Sequence, residues 1–145
     1  MRSLGLDKGD IRTGVAISDS GGIIAVPLLV IDNKSEDKVI AEVLKLVAEY
    51  AVECIVVGLP RSLNGSLGQQ ADKIMDFVQK LSSSVAENSP GKIEIRMWDE
   101  RFSTVAAEKL MLKAGTHRNK RKKHRDAMAA SFILQGFLDS LKREQ

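Results

Sequence analysis

The sequence has few of the residues that build disulfide frameworks, thiolate metal sites and aromatic stacking surfaces. Its single cysteine, Cys54, excludes an internal disulfide framework and a metal site made of several thiolates. Cys54 opens an apolar run, which favours a buried structural thiol over a nucleophile. Aromatic residues make up 4% of the chain and fall mostly at predicted core positions, so a platform for stacking bases is not indicated.

Long apolar segments are also absent. No stretch is long and apolar enough to span a membrane, and the first residues lack the basic, apolar and small-residue zones of a secretory signal. We therefore expect a soluble, intracellular protein. The 145 residues fit one domain, 1–145, with a core of ordinary size.

The charge is unevenly distributed along the chain. The formal net charge is +3, but residues 117–125, HRNKRKKHR, hold six Lys or Arg and no acid. Without these six, 16 basic residues stand against 19 acidic ones, so the remainder carries about −3. Such a run is usually a solvated loop, although it equally suits an arm that binds nucleic acid phosphates. The only two histidines, His117 and His124, flank this run and have no metal spacing.

Residues 4–19 predict a β-hairpin that carries a carboxylate. In the first strand, Ser3–Asp7, alternation places Asp7 on the same face as Gly5, with two leucines on the other face. The return strand also has small residues on the face of Asp7. These small residues leave room for the close approach of a ligand or of backbone. Taken alone, Asp7 is most simply a turn residue at the end of a strand.

The rest of the pattern predicts an α/β fold with the order βββαβαβαα. A third antiparallel strand lies within Ile23–Ile31, where Pro27 indicates an edge or bulge. Ser35 is a plausible cap for a helix of about four turns. Cys54–Leu59 is apolar on both faces and is the predicted sheet centre.

The second half of the chain alternates helices with loops. A glycine-rich loop, residues 58–68, precedes a helix, a polar connector at residues 82–91 and a strand at Ile93–Asp99. Strand, helix and strand in this order indicate a parallel crossover. Ser103 or Thr104 would cap a helix that ends near Lys113. After a basic loop, the final helix is predicted from about His124 to Lys142.

Acidic residues recur where strands end and helices begin. Asp99 and Glu100 follow a strand, and alternation alone leaves open which of them faces a site. Asp126 is predicted in the first turn of the last helix, on an apolar stripe where a carboxylate must be paired, metal-bound or a cap. Each acid alone has a structural explanation. Together with Asp7, they suit an all-oxygen site for Mg²⁺ or Mn²⁺.

Four stretches in order resemble one known family over nearly the whole chain: LGLDKGDIRTGVAISD, VVGLPRSLNGSLGQQA, WDERFST and RKKHRDAMAASFILQGFLDSL. They look like the YqgF family, also called RuvX, of Holliday junction resolvase-like proteins and pre-16S rRNA nucleases. The resemblance implies an RNase H-like fold, a mixed five-stranded sheet with helices on both faces. It also implies a metal-dependent nuclease of the bacterial cytoplasm or of an organelle derived from a bacterium.

The resemblance also assigns roles to residues of this chain. The family's acidic positions fall on Asp7, Glu100 and Asp126, which implies that these three are catalytic and bind Mg²⁺ or Mn²⁺. Lys8 and Asp10 differ from the apolar and small residues expected at their positions, so the local charge differs from that of relatives. In such a site two cations activate a water and stabilise the leaving oxygen of a phosphodiester.

Nucleic acid contacts are expected around this centre. Arg61, Asn64 and Arg101, with the amides of the glycine-rich loop, would hold flanking phosphates. A plain connector explains that loop equally well. The basic run would add sequence-independent, salt-sensitive affinity through Lys120, Arg121, Lys122, Lys123 and Arg125.

Several functions remain open at this stage. The preferred one is processing of the 5′ end of pre-16S rRNA, with ribosomal particles as possible partners and the protein as a monomer or weak homodimer. A Holliday junction resolvase would need to hold two symmetric strands, usually as a dimer. A non-catalytic RNA-binding factor on the same fold is a further alternative. An actin-like ATPase also shares the first phosphate loop, but it would need a second domain to enclose a nucleotide.

Overall fold

The computed structural model describes residues 1–60, 68–88, 91–100 and 118–143, with side chains in the last range from residue 125 to 142. The described residues form a mixed five-stranded sheet in the order β3-β2-β1-β4-β5. The strands are β1 (Ser3–Lys8), β2 (Arg12–Ser18), β3 (Ala25–Asp32), β4 (Cys54–Leu59) and β5 (Glu94–Asp99). The first three pair antiparallel, and β4 pairs parallel with both β1 and β5. This confirms the predicted fold class.

Strand β1, and not β4, lies at the centre of the sheet. The prediction for Cys54–Leu59 was wrong in this respect, although all six of its residues are buried as expected. Strand β4 lies next to the central strand, and both of its faces are buried because helices cover the two sides of the sheet there. The sequence obscured the position of β1, since its Asp7-bearing face carries small and polar residues in place of bulk.

The edge of the sheet formed by β3 follows the sequence prediction. Pro27 lies in this edge strand opposite Ala16, and the register shifts between Val15 and Ala16, which leaves Leu28 as an extra residue and marks a bulge in β3 beside Pro27. Proline donates no hydrogen bond, so it is tolerated where a strand has one free side or an irregular ladder. Both features that Pro27 indicated, the edge and the bulge, are confirmed.

Helices cover both faces of the sheet. On one face, α1 (Glu36–Glu49) and α2 (Gln69–Asn88) pack on the leucines of β1 and the branched residues of β2. Ser35 caps α1 as predicted, its hydroxyl accepting the Lys38 amide at 3.2 Å. On the other face, α3 (Arg118–Arg143) packs Leu134 and Phe137 against Ala16 and Val56. Within the described ranges, no helix has the length and apolarity needed to cross a membrane.

Two helix boundaries differ from the sequence prediction. Helix α2 continues to Asn88, so the polar connector expected from Ser82 begins later, and Val85 is buried one turn after Leu81. Helix α3 begins at Arg118, so the described part of the basic run is helical and was wrongly predicted as a loop. Lysine and arginine are good helix formers even where apolar periodicity is lacking. The helix predicted to start at Ser103 or Thr104 lies outside the described residues.

The small residues of the hairpin admit α3 rather than a ligand. A Cβ atom on Gly5 would lie 2.7 Å from the Leu134 Cβ and 3.0 Å from the Ala130 carbonyl oxygen. A Cβ atom on Gly14 would collide with the backbone carbonyl of Asp126. The predicted close approach is therefore that of helix backbone, and it fixes where Asp126 stands relative to β2.

Candidate active site

Two of the three predicted acids meet at the carboxyl edge of the parallel strands. Asp7 lies near the end of the central strand β1, just beyond the Leu6–Val57 pair. Glu100 follows the last residue of β5 directly, and its side chain forms a hydrogen bond with that of Asp7. Because the carboxyl ends of β1, β4 and β5 lie at one edge, distant parts of the chain supply neighbouring carboxyl groups there.

The space for Glu100 comes from a glycine of the intervening strand. A Cβ atom on Gly58 would lie 2.7 Å from Oε1 of Glu100 and 2.6 Å from Cδ1 of Ile133. Any side chain at this position would therefore displace Glu100, Ile133 or both. The sequence placed Gly58 both within the predicted strand Cys54–Leu59 and at the start of the glycine-rich loop, and no local pattern indicated its contact with Glu100.

Burial and mutual repulsion change the ionisation of this pair. Burial, followed by the charge of Asp7 and the hydrogen bond to it, raises the pKa of Glu100 from 4.5 to about 8. Burial also raises the pKa of Asp7, with a further rise from Asp126 and an opposing effect of the bond from Glu100. Glu100 thus keeps a proton near neutral pH and donates it to the Asp7 carboxylate.

Asp126, the third predicted acid, lies close enough for its charge to act on Asp7. It stands about two turns into α3 rather than in the first turn, because the helix begins earlier than predicted. Its Oδ2 accepts a hydrogen bond from Nε of Arg12 at 2.7 Å, and each side chain is 28% exposed. The carboxylate is therefore paired, one of the three states that its apolar stripe required.

Lys8 and Asp10, which differ from the residues expected at their positions, point toward α2 and away from Asp7. Lys8 Nζ lies 5.4 Å from the centre of the Phe77 ring and donates to the Gly9 carbonyl. Asp10 forms an exposed ion pair with Lys73 at 3.6 Å. Their charges are thus engaged on the other face of the sheet from the paired acids.

The donor set suits a hard divalent cation after two exchanges of partner. All three acids offer oxygen, which Mg²⁺ and Mn²⁺ prefer. In the part of the chain that the structure describes, no three Asp, Glu, His or Cys side chains stand close enough to hold an ion together. A cation would replace the proton shared by Asp7 and Glu100 and draw Asp126 from Arg12. With those exchanges made, the residues fit the metal.

Only some of the residues predicted to contact nucleic acid lie within the described part of the chain. Arg61, Asn64 and Arg101 lie outside the described residues. Lys120, Arg121, Lys122 and Lys123 belong to the first turns of α3, and Arg125 is exposed beside Asp126. The helix thus carries the basic run directly up to one of the three acids.

Comparison with known proteins adds a family and close relatives. A family model described as "RuvX: Holliday junction resolvase" matches residues 1–140. A protein of Clostridium novyi named "Putative pre-16S rRNA nuclease" is 48% identical over 141 residues, covering 97% of this chain and all of the relative. A protein of the same name from Desulforamulus reducens is 44% identical over 140 residues, covering 97% of this chain and 98% of its own.

Solved structures share the fold at low identity. RuvC of Thermus thermophilus, solved with a Holliday junction substrate, superposes with a TM-score of 0.58 at 15% identity and covers 98% of this chain and 96% of its own. The fowlpox virus resolvase, solved with Holliday junction DNA, also gives 0.58, at 11% identity, over 97% of this chain and 99% of its own. These likenesses confirm the RNase H-like architecture.

Proposed function

The chain belongs to the RuvX family of Holliday junction resolvase-like nucleases, and we propose that it is a metal-dependent endonuclease that processes the 5′ end of pre-16S rRNA. The partly buried Asp7–Glu100 pair with Asp126 nearby is the observation that supports this most strongly. Two partly buried acids that share a proton cost stability in the metal-free protein, and a bound cation would offset that cost. We therefore assign Asp7, Glu100 and Asp126 as the catalytic, metal-binding residues.

Asp7, Glu100 and Asp126 would hold Mg²⁺ or Mn²⁺. The bound ions would supply an activated water and neutralise charge on the phosphate that is cut. The protein's own part is to hold the carboxyl groups of Asp7 and Glu100 together and partly buried. Once their shared proton is lost, the two negative charges would strongly favour a bound cation. Gly58 and Gly14 set the positions of Glu100 and Asp126 within this arrangement.

The first turns of α3 would guide nucleic acid to the acids. They combine the basic run with the positive end of the helix dipole, and no acidic residue occurs in the first turn. That combination is unfavourable for an isolated helix and favourable for phosphate binding. Lys120, Arg121, Lys122, Lys123 and Arg125 would supply this contact, while Arg61, Asn64 and Arg101 would hold flanking phosphates.

Ribosomal RNA is the preferred substrate because relatives spanning the whole chain at 44% and 48% identity carry the name of pre-16S rRNA nucleases. This substrate places the protein in the bacterial cytoplasm or a derived organelle, with precursor ribosomal particles as partners. It also requires no symmetric assembly, so a monomer or weak homodimer suffices.

A second candidate is resolution of Holliday junctions. The description of the family and the shared fold with RuvC and the fowlpox enzyme favour it. A resolvase has to cut two symmetric strands, so this function would require a dimer. A non-catalytic RNA-binding role is less favoured, because RNA binding alone gives no reason to hold two acids together in a partly buried site.

Two labelled substrates separate these functions. One is an RNA spanning the 5′ junction of the 16S precursor, and the other is a four-way DNA junction, each incubated with Mg²⁺ or Mn²⁺. The proposal predicts cleavage of the RNA alone. Cleavage of the DNA junction alone would replace it with the resolvase function. Binding of RNA without cleavage under either metal would favour the non-catalytic factor.

A further inference from the structure

Arg12 is a basic residue within the candidate active site to which sequence reasoning gave no role. It opens β2 and is 28% exposed, and its Nε donates to Oδ2 of Asp126 at 2.7 Å. The two residues are 114 positions apart in the chain. Arg12 therefore neutralises an acid that the proposed function assigns to the metal.

The backbone beside this ion pair is closely packed, whereas its two side chains are partly exposed. Gly14 lets the main chain of Asp126 rest directly on β2, so α3 has no room to move toward the strand. The Arg12 and Asp126 side chains each remain partly open to solvent. An exchange of partners by Arg12 would thus require rotation of side chains and no shift of the helix.

A metal ion and Arg12 compete for the same carboxylate. A divalent cation on Asp126 would stand beside the guanidinium, and like charges in contact repel. A phosphate of bound nucleic acid relieves that repulsion, because guanidinium groups bind phosphate oxygens through two parallel hydrogen bonds. The phosphate would then bind the Arg12 guanidinium in place of Asp126.

We infer that Arg12 holds Asp126 until a nucleic acid phosphate takes its guanidinium, so that nucleic acid and divalent cation bind cooperatively. The inference rests on the proposed function, since it takes Asp126 as a metal ligand. It adds that the free protein binds metal weakly and that substrate completes the site. Cooperativity of this kind is reciprocal, so metal strengthens nucleic acid binding by the same factor.

The test is Mn²⁺ binding followed by electron paramagnetic resonance, which does not depend on turnover. Mn²⁺ is titrated into the free protein and into protein saturated with a short RNA from the precursor's 5′ junction, with the RNA checked for integrity afterwards. For the wild type we expect RNA to tighten Mn²⁺ binding by roughly 5- to 150-fold, the usual range of such coupling. For Arg12→Gln we expect tighter Mn²⁺ binding by the free protein and little further effect of RNA.

Two control variants accompany the test. Lys73→Gln removes a cation of equal charge whose ion pair with Asp10 lies on the other face of the sheet, and it should behave as the wild type. Arg12→Lys keeps the positive charge and should retain part of the coupling between RNA and Mn²⁺. It keeps the test decisive if Arg12→Gln folds poorly. The folding of each variant is checked by far-UV circular dichroism. Lysine lacks the two-pronged geometry, so its coupling should be intermediate.

Two results would overturn the inference while leaving the proposed function intact. If Arg12→Gln weakens Mn²⁺ binding by the free protein, Arg12 orients Asp126 for the metal and does not compete with it. If Arg12→Gln keeps the full wild-type coupling, the exchange of partners does not occur at this residue. If Asp7→Asn binds as much Mn²⁺ as the wild type does, the proposed metal site is wrong, and the inference fails with it.

Discussion

Among single residues, Glu100 shows how the fold changes the chemistry of one carboxyl group. Its pKa of about 8 reflects burial beside Asp7, whereas the unfolded chain would titrate it near 4.5. The folded protein thus holds a proton that the unfolded chain has already lost. The free energy of unfolding of metal-free protein should therefore fall as the pH rises through that window.

This pH dependence is a direct prediction. In urea unfolding between pH 5 and pH 8, metal-free wild type should lose stability with rising pH, and Glu100→Gln should flatten that loss because it cannot ionise. Added Mn²⁺ should restore the stability of the wild type at pH 8. Asp10→Asn serves as the control, since Asp10 is exposed. Equal pH profiles for wild type and Glu100→Gln would show that the pair does not share a proton.

Gly58 offers a second test at the scale of a residue. A Cβ atom in Gly58→Ala would displace the end of the flexible Glu100 side chain, so we expect a modest loss of stability, about 1–3 kcal/mol. Cleavage should fall much further, by roughly a hundredfold, because a shift of about 1 Å in a catalytic group costs that much. Rate and urea stability are measured on the same preparation.

A matched control for Gly58→Ala is Gly91→Ala, where an added Cβ would meet no atom of another described residue within 4 Å, apart from its chain neighbours. The control should keep both the cleavage rate and the stability of the wild type. If Gly58→Ala loses stability and activity in proportion, the glycine serves only the packing of the sheet. Gly58 and Arg12 were missed in the sequence because each acts through a partner that is distant along the chain.

At the scale of elements, local periodicity predicted strands better than helix ends. Alternation correctly placed the two faces of β1 and β2, and Pro27 correctly marked an edge and a bulge. The start of α3 was missed because HRNKRKKHR has no apolar repeat, although its lysines and arginines readily form helix. The end of α2 was missed because three serines, Ser82–Ser84, hid the i, i+4 spacing of Leu81 and Val85.

The contact between β2 and α3 yields a prediction for Gly14→Ala. The added methyl group would strike the backbone of Asp126, which cannot move aside as a side chain can, so α3 must shift outward. We expect a loss of about 3 kcal/mol or more in the free energy of unfolding, at or beyond the usual range for overpacking. Urea unfolding of Gly14→Ala beside Gly91→Ala measures this, and equal stabilities would mean that the helix does not press on the strand.

Across the whole molecule, the separation of charge predicts how binding responds to salt. The basic run is set against a remainder of about −3. Each phosphate contact contributes a slope of about −0.7 for single strands and about −0.9 for duplex in a plot of log affinity against log salt concentration. Replacing Lys120, Arg121, Lys122 and Lys123 together by Gln should therefore reduce the slope by up to about 3 units.

The control changes the same number of cations on the opposite face of the sheet. Lys34, Lys38, Lys45 and Lys80 are exposed on or beside α1 and α2, and their replacement by Gln should leave the slope unchanged. Fluorescence anisotropy of labelled RNA over a salt series gives both slopes. A reduction of equal size in the two variants would show that net charge, and not the start of α3, determines binding.

Asp7 is proposed to act in a metal-dependent cut of RNA, and the most direct test of that role compares Asp7→Asn with Asp10→Asn. Both remove one acid from the same hairpin, but Asp10 pairs with Lys73 away from the site. Cleavage and binding of the labelled precursor RNA are measured with Mg²⁺ and with Mn²⁺. We predict that Asp7→Asn binds normally and cuts at least about a hundredfold more slowly, since even supporting residues of metal sites cost that much. Asp10→Asn should cut as the wild type does. Cleavage by Asp7→Asn within a few-fold of the wild-type rate would contradict the account.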